Sequence, residues 1–240
     1  MAFLLPESAC DTISREQNFT ETVEVNMERQ FAIFDMDGTL VDSMGYWQSL
    51  EREFLTRKGV TDGLEDILER TKPLTLPEAA ALFSEYCDLE GTPEQLVKEV
   101  LALMEEHYQN DVVIKPGVAA YLDKLKQRGV TMCVASATPR PLVELCLKRL
   151  GLAHYFSFLL SCVDVGAGKR QPDVFLEAAR RLGAQPGGTA VFEDSVYAVH
   201  TAHAAGFYVV AIHDGPQNDA FWDEMVALSD ETIVDWTLAL

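Results

Sequence analysis

Apolar and polar positions along this chain change period several times. Phe31-Ala32-Ile33-Phe34 is an unbroken apolar run that stops at Asp35-Met36-Asp37-Gly38-Thr39-Leu40, the pattern of a strand buried on both faces and ending in a loop. From Tyr46 the spacing becomes helical. Tyr46, Trp47, Leu50 and Phe54 recur at three- and four-residue steps, with Gly59 as C-cap. Leu64, Ile67 and Leu68 predict a second, short helix that stops near Pro73, and Pro77 opens a third carrying Ala80, Ala81, Phe83 and Tyr86. Thr92-Pro93-Glu94-Gln95 supplies an N-cap, a proline at the first helical position and a capping-box glutamine. The helix it starts carries Leu96, Val97, Val100, Leu101 and Met104.

Strand and helix then alternate. Helices are predicted over Val118–Arg128, Leu142–Leu150, Pro172–Leu182 and Val196–Ala205. Strands are predicted over Val130–Ala135, Phe158–Leu160, Ala190–Phe192 and Tyr208–Ile212, with Thr232–Val234 as an edge strand. This repetition implies an α/β fold: a Rossmann-like parallel sheet with helices on both faces and right-handed crossovers. The all-helical block interrupts the sheet directly after its first strand. The organisation read from the pattern is a core of residues 29–43 and 114–240, an inserted helical domain at 44–113, and a polar, aperiodic stretch at 1–28 expected to be a mobile extension, with Met27 as a candidate native start.

Composition narrows the partners. A chain of 240 residues, 48% hydrophobic and 24% charged, can bury a sizeable core. The net charge of −19 argues against nucleic acid or an anionic membrane as partner. It also means that an anionic substrate is repelled at long range, so positive charge must gather locally at its site. The five cysteines are scattered without a CxxC pair, which fits reduced thiols and a cytoplasmic protein. Cys133 and Cys146 fall on apolar positions and read as small buried hydrophobes. No apolar run is long enough to span a bilayer, and Met1–Glu7 lacks the basic region of a signal peptide. A monomer or weak dimer is expected.

The chemistry concentrates at strand ends. Asp35 and Asp37 project to the same side of an extended chain, because side chains alternate with period two. Close carboxylates repel, and a cation between them relieves the repulsion. Aspartate and glycine also form ordinary turns, so this segment alone leaves both readings open. Three further polar positions follow in order: Ser136 after the strand Val130–Ala135, Lys169 in Gly168-Lys169-Arg170-Gln171-Pro172-Asp173, and Glu193-Asp194 after Ala190–Phe192. A strand ending in two acids is uncommon without a cation.

Together these segments resemble, in order, the four motifs of the haloacid dehalogenase-like superfamily of phosphotransferases, over roughly residues 31–236. The resemblance implies that Asp35 is the nucleophile, passing through an aspartyl-phosphate, and that Asp37 is the acid–base. Ser136, Ala137 and Lys169 would bind the phosphoryl group, with Ser136 and Lys169 counted among the catalytic residues. It implies a Mg²⁺ site at Asp35, Asp37, Glu193 and Asp194, with Asp37 contributing its backbone carbonyl. It makes the helical block a cap closing over the site, hinged near Ser43–Gly45 and Ile114–Gly117. Two positions depart from the family pattern: Arg170 replaces a usual proline and Ala198 a usual glycine. His200 and His203 read as surface or packing residues, and Tyr46 and Trp47 as core. The implied function is a phosphatase of a small phosphorylated metabolite, sugar phosphates foremost. A phosphomutase of the β-phosphoglucomutase type and a non-catalytic binding protein on the same fold are the alternatives.

Overall fold

The computed structural model describes residues 29–71, 74–87 and 89–239. The expected extension at 1–28 and the helix stop at Pro73 lie outside the described residues. In chain order the elements are strand β1 (Phe31–Phe34), β2 (Val41–Asp42), helices α1 (Met44–Arg57), α2 (Leu64–Thr71), α3 (Leu76–Tyr86) and α4 (Pro93–Asn110), then β3 (Val113–Ile114) and α5 (Val118–Gln127). They continue with β4 (Thr131–Ser136), α6 (Arg140–Arg149), β5 (Phe156–Ser161), the one-turn α7 (Cys162–Val165), α8 (Asp173–Leu182) and β6 (Thr189–Glu193). The chain closes with α9 (Val196–Ala204), β7 (Tyr208–Ile212), α10 (Trp222–Leu228) and β8 (Glu231–Ile233).

Six strands form one sheet in the order β5-β4-β1-β6-β7-β8, every neighbouring pair parallel. This is the doubly wound sheet that the alternating pattern predicts. β1 lies at its centre, between β4 and β6, so its apolar run is buried on both sides: Ala32, Ile33 and Phe34 are fully inaccessible. Side-chain alternation divides them. Ala32 and Phe34 join the core under α5 and α6, while Ile33 joins the core under α8, α9 and α10. Phe34 and its register partner Phe192 on β6 stack with ring centroids 4.2 Å apart.

The helical block α1–α4 leaves and re-enters the sheet through a two-stranded antiparallel ribbon, β2 against β3. Its apolar faces, among them Leu50, Phe54, Phe83, Val100 and Met104, are continuous with the core under α5 and α6. The capping box of α4 forms as its sequence indicates, with Gln95 N donating to Thr92 Oγ1 and Thr92 N to Gln95 Oε1, and α3 carries a second box at Thr75 and Glu78. The segments expected to be hinges sit differently in part. Gly45 lies inside the first turn of α1, and the crossing strands are Val41–Asp42 and Val113–Ile114. Gly117 has φ +89°, and a Cβ there would lie 2.5 Å from Thr237 N, so the close passage of the C-terminal segment requires glycine at this position. Among the described residues, no helix is long and apolar enough to cross a membrane.

Candidate active site

β1, β4 and β6 end side by side, and each delivers polar residues at its C-terminal end, where open parallel sheets place their sites. Past β1 the chain keeps its pairing for one more residue: Asp35 N donates to Phe192 O at 3.0 Å. It then turns tightly, with Leu40 N and Val41 N both donating to Met36 O, at 2.9 and 3.1 Å. The turn carries Asp35, buried, and Asp37, half-buried, to the rim. Gly38, at φ +77°, lets Asp194 approach: a Cβ there would lie 2.3 Å from Asp194 Oδ2.

Lys169 is the local positive charge that an anionic protein needs at such a site. It is 5% exposed, and its Nζ donates to Asp35 Oδ1 and to Glu193 Oε1. Burial by itself would lower the ammonium pKa, but the Asp35 and Glu193 carboxylates outweigh it and hold the group charged, above its ordinary range. Burial pushes Asp35 up to about 7; Lys169 opposes this, while Glu193 and Asp37 add to it. Asp194 is likewise raised, first by burial and then by the Asp35 and Glu193 charges. Asp35, Glu193 and Asp194 are all buried, and each offers an oxygen within 4.8 Å of the others. Three buried carboxylates against one lysine leave negative charge uncompensated. This donor set fits a hard divalent cation.

Thr39 Oγ1 donates to Asp194 Oδ1 at 3.0 Å, fixing that carboxylate from the β1 side. From the other side Asn218, 5% exposed, donates through Nδ2 to Asp194 O at 2.8 Å and to Ile212 O at 2.9 Å. Asp214 packs beside the same glycine, 3.1 Å from where a Gly38 Cβ would stand, and is paired with Lys115.

Asp37 is held differently. Its Oδ1 accepts from Ser43 Oγ at 2.6 Å and from Tyr108 Oη at 2.5 Å, and its Oδ2 from Thr138 Oγ1 at 2.8 Å. Ser136 closes β4 at 1% exposure, and its Oγ accepts from Thr138 N at 3.0 Å. Asp35, Asp37, Ser136, Ala137 and Lys169 line one cavity of about 150 Å³, with Met44 and Trp47 from α1, Thr138, Ser195 and Tyr197 completing its wall. Glu193 and Asp194 adjoin it through Lys169 and Asp35. A larger concavity of about 600 Å³ opens beside the β2–β3 ribbon but contains none of these residues.

The structure thus brings together every residue singled out at the strand ends. The sequence reading missed Ser43, Tyr108, Thr138, Thr39 and Asn218. Tyr108 carries a readable trace, because it extends the apolar stripe Leu101–Met104 of α4 by one further step. It also takes Trp47 partly out of the core, since that indole lines the cavity and its Nε1 donates to Tyr108 Oη at 3.2 Å. His200 pairs with Glu224 on the surface, away from the site. Arg170 lies outside the cavity, its guanidinium 4.9 Å from the Tyr197 ring centroid.

A parallel α/β sheet with buried acids past the ends of β1 and β6, a serine at the end of β4 and a lysine reaching them from the loop between α7 and α8 defines a class, and comparison with known proteins agrees. A family model described as haloacid dehalogenase-like hydrolase matches residues 32–212. The chain is 31% identical over 212 residues to a bifunctional riboflavin kinase/FMN phosphatase of Arabidopsis thaliana, covering 86% of this chain and 55% of that protein; it therefore spans about half of that relative. It is 30% identical over 181 residues to a fructose-1-phosphate phosphatase of Escherichia coli, covering 75% of this chain and 94% of that one. A crystal structure of β-phosphoglucomutase from Clostridium difficile shares the fold with a TM-score of 0.64 at 20% identity, covering 87% of this chain and 92% of that one. The chain belongs to the haloacid dehalogenase-like hydrolase family and is an enzyme of that family.

Proposed function

We propose that this protein is a Mg²⁺-dependent phosphatase of a small phosphorylated metabolite, with sugar phosphates its foremost substrates. The observation that carries this reading is the shared cavity. Asp35, Asp37, Ser136 and Lys169 face one space of about 150 Å³, large enough for a phosphoryl group and little more. The fructose-1-phosphate phosphatase matched over nearly its whole length supports a sugar-phosphate substrate.

In this reading Asp35 attacks phosphorus. The bond from phosphorus to the ester oxygen breaks, and the Asp37 carboxyl delivers its proton to that oxygen. Asp37 then takes a proton from water as the water attacks the phosphoryl group, releasing inorganic phosphate and restoring the Asp35 carboxylate. Lys169 balances charge on Asp35 and on the transferring oxygens, and Ser136 with the Ala137 backbone orients them. Asp35, Glu193 and Asp194, with the backbone carbonyl of Asp37, would hold Mg²⁺, which supplies charge neutralisation between carboxylate and phosphoryl group.

Residues 29–43 and 114–240 form the catalytic core in this reading, and 44–113 a helical cap. Met44 and Trp47 in the cavity wall support the cap, because a wall built from the inserted block excludes bulky phosphoproteins and shields the phosphoryl group from water. The test is phosphate release from a panel of phosphorylated metabolites, with Mg²⁺ and with EDTA, for wild type and Asp35→Asn. Release that needs Mg²⁺ and is lost in Asp35→Asn supports the reading. Isomerised sugar phosphate without phosphate release, or equal turnover by Asp35→Asn, contradicts it.

A further inference from the structure

The inserted helical block reaches past the cavity wall to the acid–base itself. We propose that Tyr108 is a positioning residue for Asp37, and that Trp47 fixes Tyr108 in turn, so that the helical block supplies part of the proton-transfer machinery. This rests on the reading of Asp37 as the acid–base.

The geometry is a chain of donors. Trp47 Nε1 donates to Tyr108 Oη at 3.2 Å, and Tyr108 Oη donates to Asp37 Oδ1 at 2.5 Å. An indole N–H has no acceptor capacity, so it sets the phenol's direction: the Tyr108 lone pair faces Trp47 and its proton faces Asp37. Burial, and then the Asp37 charge, drive the Tyr108 phenol far above its ordinary range, so it stays a donor. Tyr108 is fully buried and clamped at its other end as well. Its carbonyl, in the last turn of α4, accepts from Arg149 Nε of α6 at 2.6 Å, and the same guanidinium donates to Val112 O. The phenol therefore reaches Asp37 from a helix end pinned to the core.

Tyr108 differs in kind from the other two partners of Asp37. Ser43 and Thr138 stand in the segments that immediately follow β2 and β4. Tyr108 lies 71 residues from Asp37 in the chain and joins it only when α4 is seated on the core. A proton donor must be aimed at the leaving oxygen to within a fraction of an ångström, and a rigid aromatic donor on a pinned helix provides that aim.

The test exploits leaving-group chemistry. A nitrophenolate departs without a proton, whereas an unsubstituted phenol needs one. For Tyr108→Phe, kcat/KM on phenyl phosphate is expected to fall about tenfold, a part of the full general-acid contribution, while p-nitrophenyl phosphate changes by less than about twofold. Trp47→Phe, which retains the phenol but frees its direction, also alters the cavity wall, so its readout is the ratio of kcat/KM on phenyl phosphate to that on p-nitrophenyl phosphate. That ratio should fall, less than in Tyr108→Phe, on top of any loss common to both esters, and it keeps the test open if Tyr108→Phe folds poorly. Equal losses on both esters, or no loss on phenyl phosphate, would overturn the proposal. Asp35→Asn run in parallel separates the two levels. If it is inactive on both esters while Tyr108→Phe shows no selectivity, the phosphatase reading stands and the role of Tyr108 does not; if Asp35→Asn turns both over, the reading beneath falls as well.

Discussion

Gly38 and Asp194 touch so closely that one would have to move if the other grew. A Cβ on Gly38 would stand 2.3 Å from Asp194 Oδ2 and 2.7 Å from its Cγ, with Asp214 Oδ2 closing the remaining side at 3.1 Å. The first strand-end loop and the last acidic strand end are thus packed against one another with no space between them.

Gly38→Ala should therefore act on the acidic cluster before it acts on stability. The left-handed backbone at φ +77° costs a non-glycine residue about 1–2 kcal/mol, while the larger effect is displacement of Asp194. Metal half-saturation of turnover is expected to rise at least tenfold, within the 10–100-fold span seen when ligand supports are removed. Metal titration of activity checks it; an unchanged half-saturation would show that Asp194 does not need this contact.

Lys169→Met should expose the repulsion that the ammonium neutralises. Asp35 and Glu193 would then face one another in a buried site, and removing one partner of a buried ion pair costs about 3–5 kcal/mol. For a chain of this size that lowers the melting midpoint by roughly 10 °C in EDTA. Addition of Mg²⁺ should recover part of the loss while activity stays abolished. Thermal melts with and without Mg²⁺ provide the measurement, and a midpoint equal to wild type in EDTA would contradict it.

Asn218→Ala removes the side chain that bonds Asp194 O, Ile212 O and Asp214 N at once. Its effect should appear as a half-saturating Mg²⁺ concentration raised roughly tenfold, with turnover at saturating Mg²⁺ much closer to wild type. Loss of turnover that excess Mg²⁺ does not restore would assign Asn218 another role.

His107 offers a pH prediction inside the helical block. It bonds Asp111 Oδ2 and Glu53 Oε2, each at 2.8 Å, tying α4 to α1. Burial by itself would lower its pKa, but the hydrogen bonds it donates to these carboxylates, and their charge, leave it raised above its ordinary 6.5. A raised histidine binds its proton more tightly folded than unfolded, so its stabilisation is full below pH 6.5 and fades as pH climbs through the folded pKa. His107→Gln should flatten the fall of the melting midpoint above pH 6.5, leaving the Asp35 and Asp194 contributions common to both proteins. Parallel curves for the two proteins would rule this linkage out.

Much of the site was legible because the acids and the serine at its strand ends follow apolar runs in the chain itself, while Lys169 comes from a glycine-rich loop. Phe31–Phe34 announces Asp35, Val130–Ala135 announces Ser136, and Ala190–Phe192 announces Glu193 and Asp194. A buried central strand must be apolar, and polar residues at its end have nowhere to go but the rim. What stayed hidden acts across distance. Tyr108 and Thr138 meet Asp37 across sequence separations of 71 and 101 residues, and an aromatic on a helical stripe reads as packing until the fold shows what its hydroxyl touches. Asn218 lies in a loop of short turns with no periodicity, and α10 is too short to announce itself. The crossing strands β2 and β3 span two residues each, below the length at which alternation can be read.

The central claim, that Asp35 carries the phosphoryl group, is tested most directly by trapping it. Enzyme mixed with a turned-over phosphate ester and Mg²⁺, quenched within the first turnover and reduced with borohydride, converts an aspartyl-phosphate to homoserine. Peptide mass spectrometry should find homoserine at position 35 in wild type and none in Asp35→Asn. Steady turnover with an unmodified Asp35, or with the label on another carboxylate, would contradict the account.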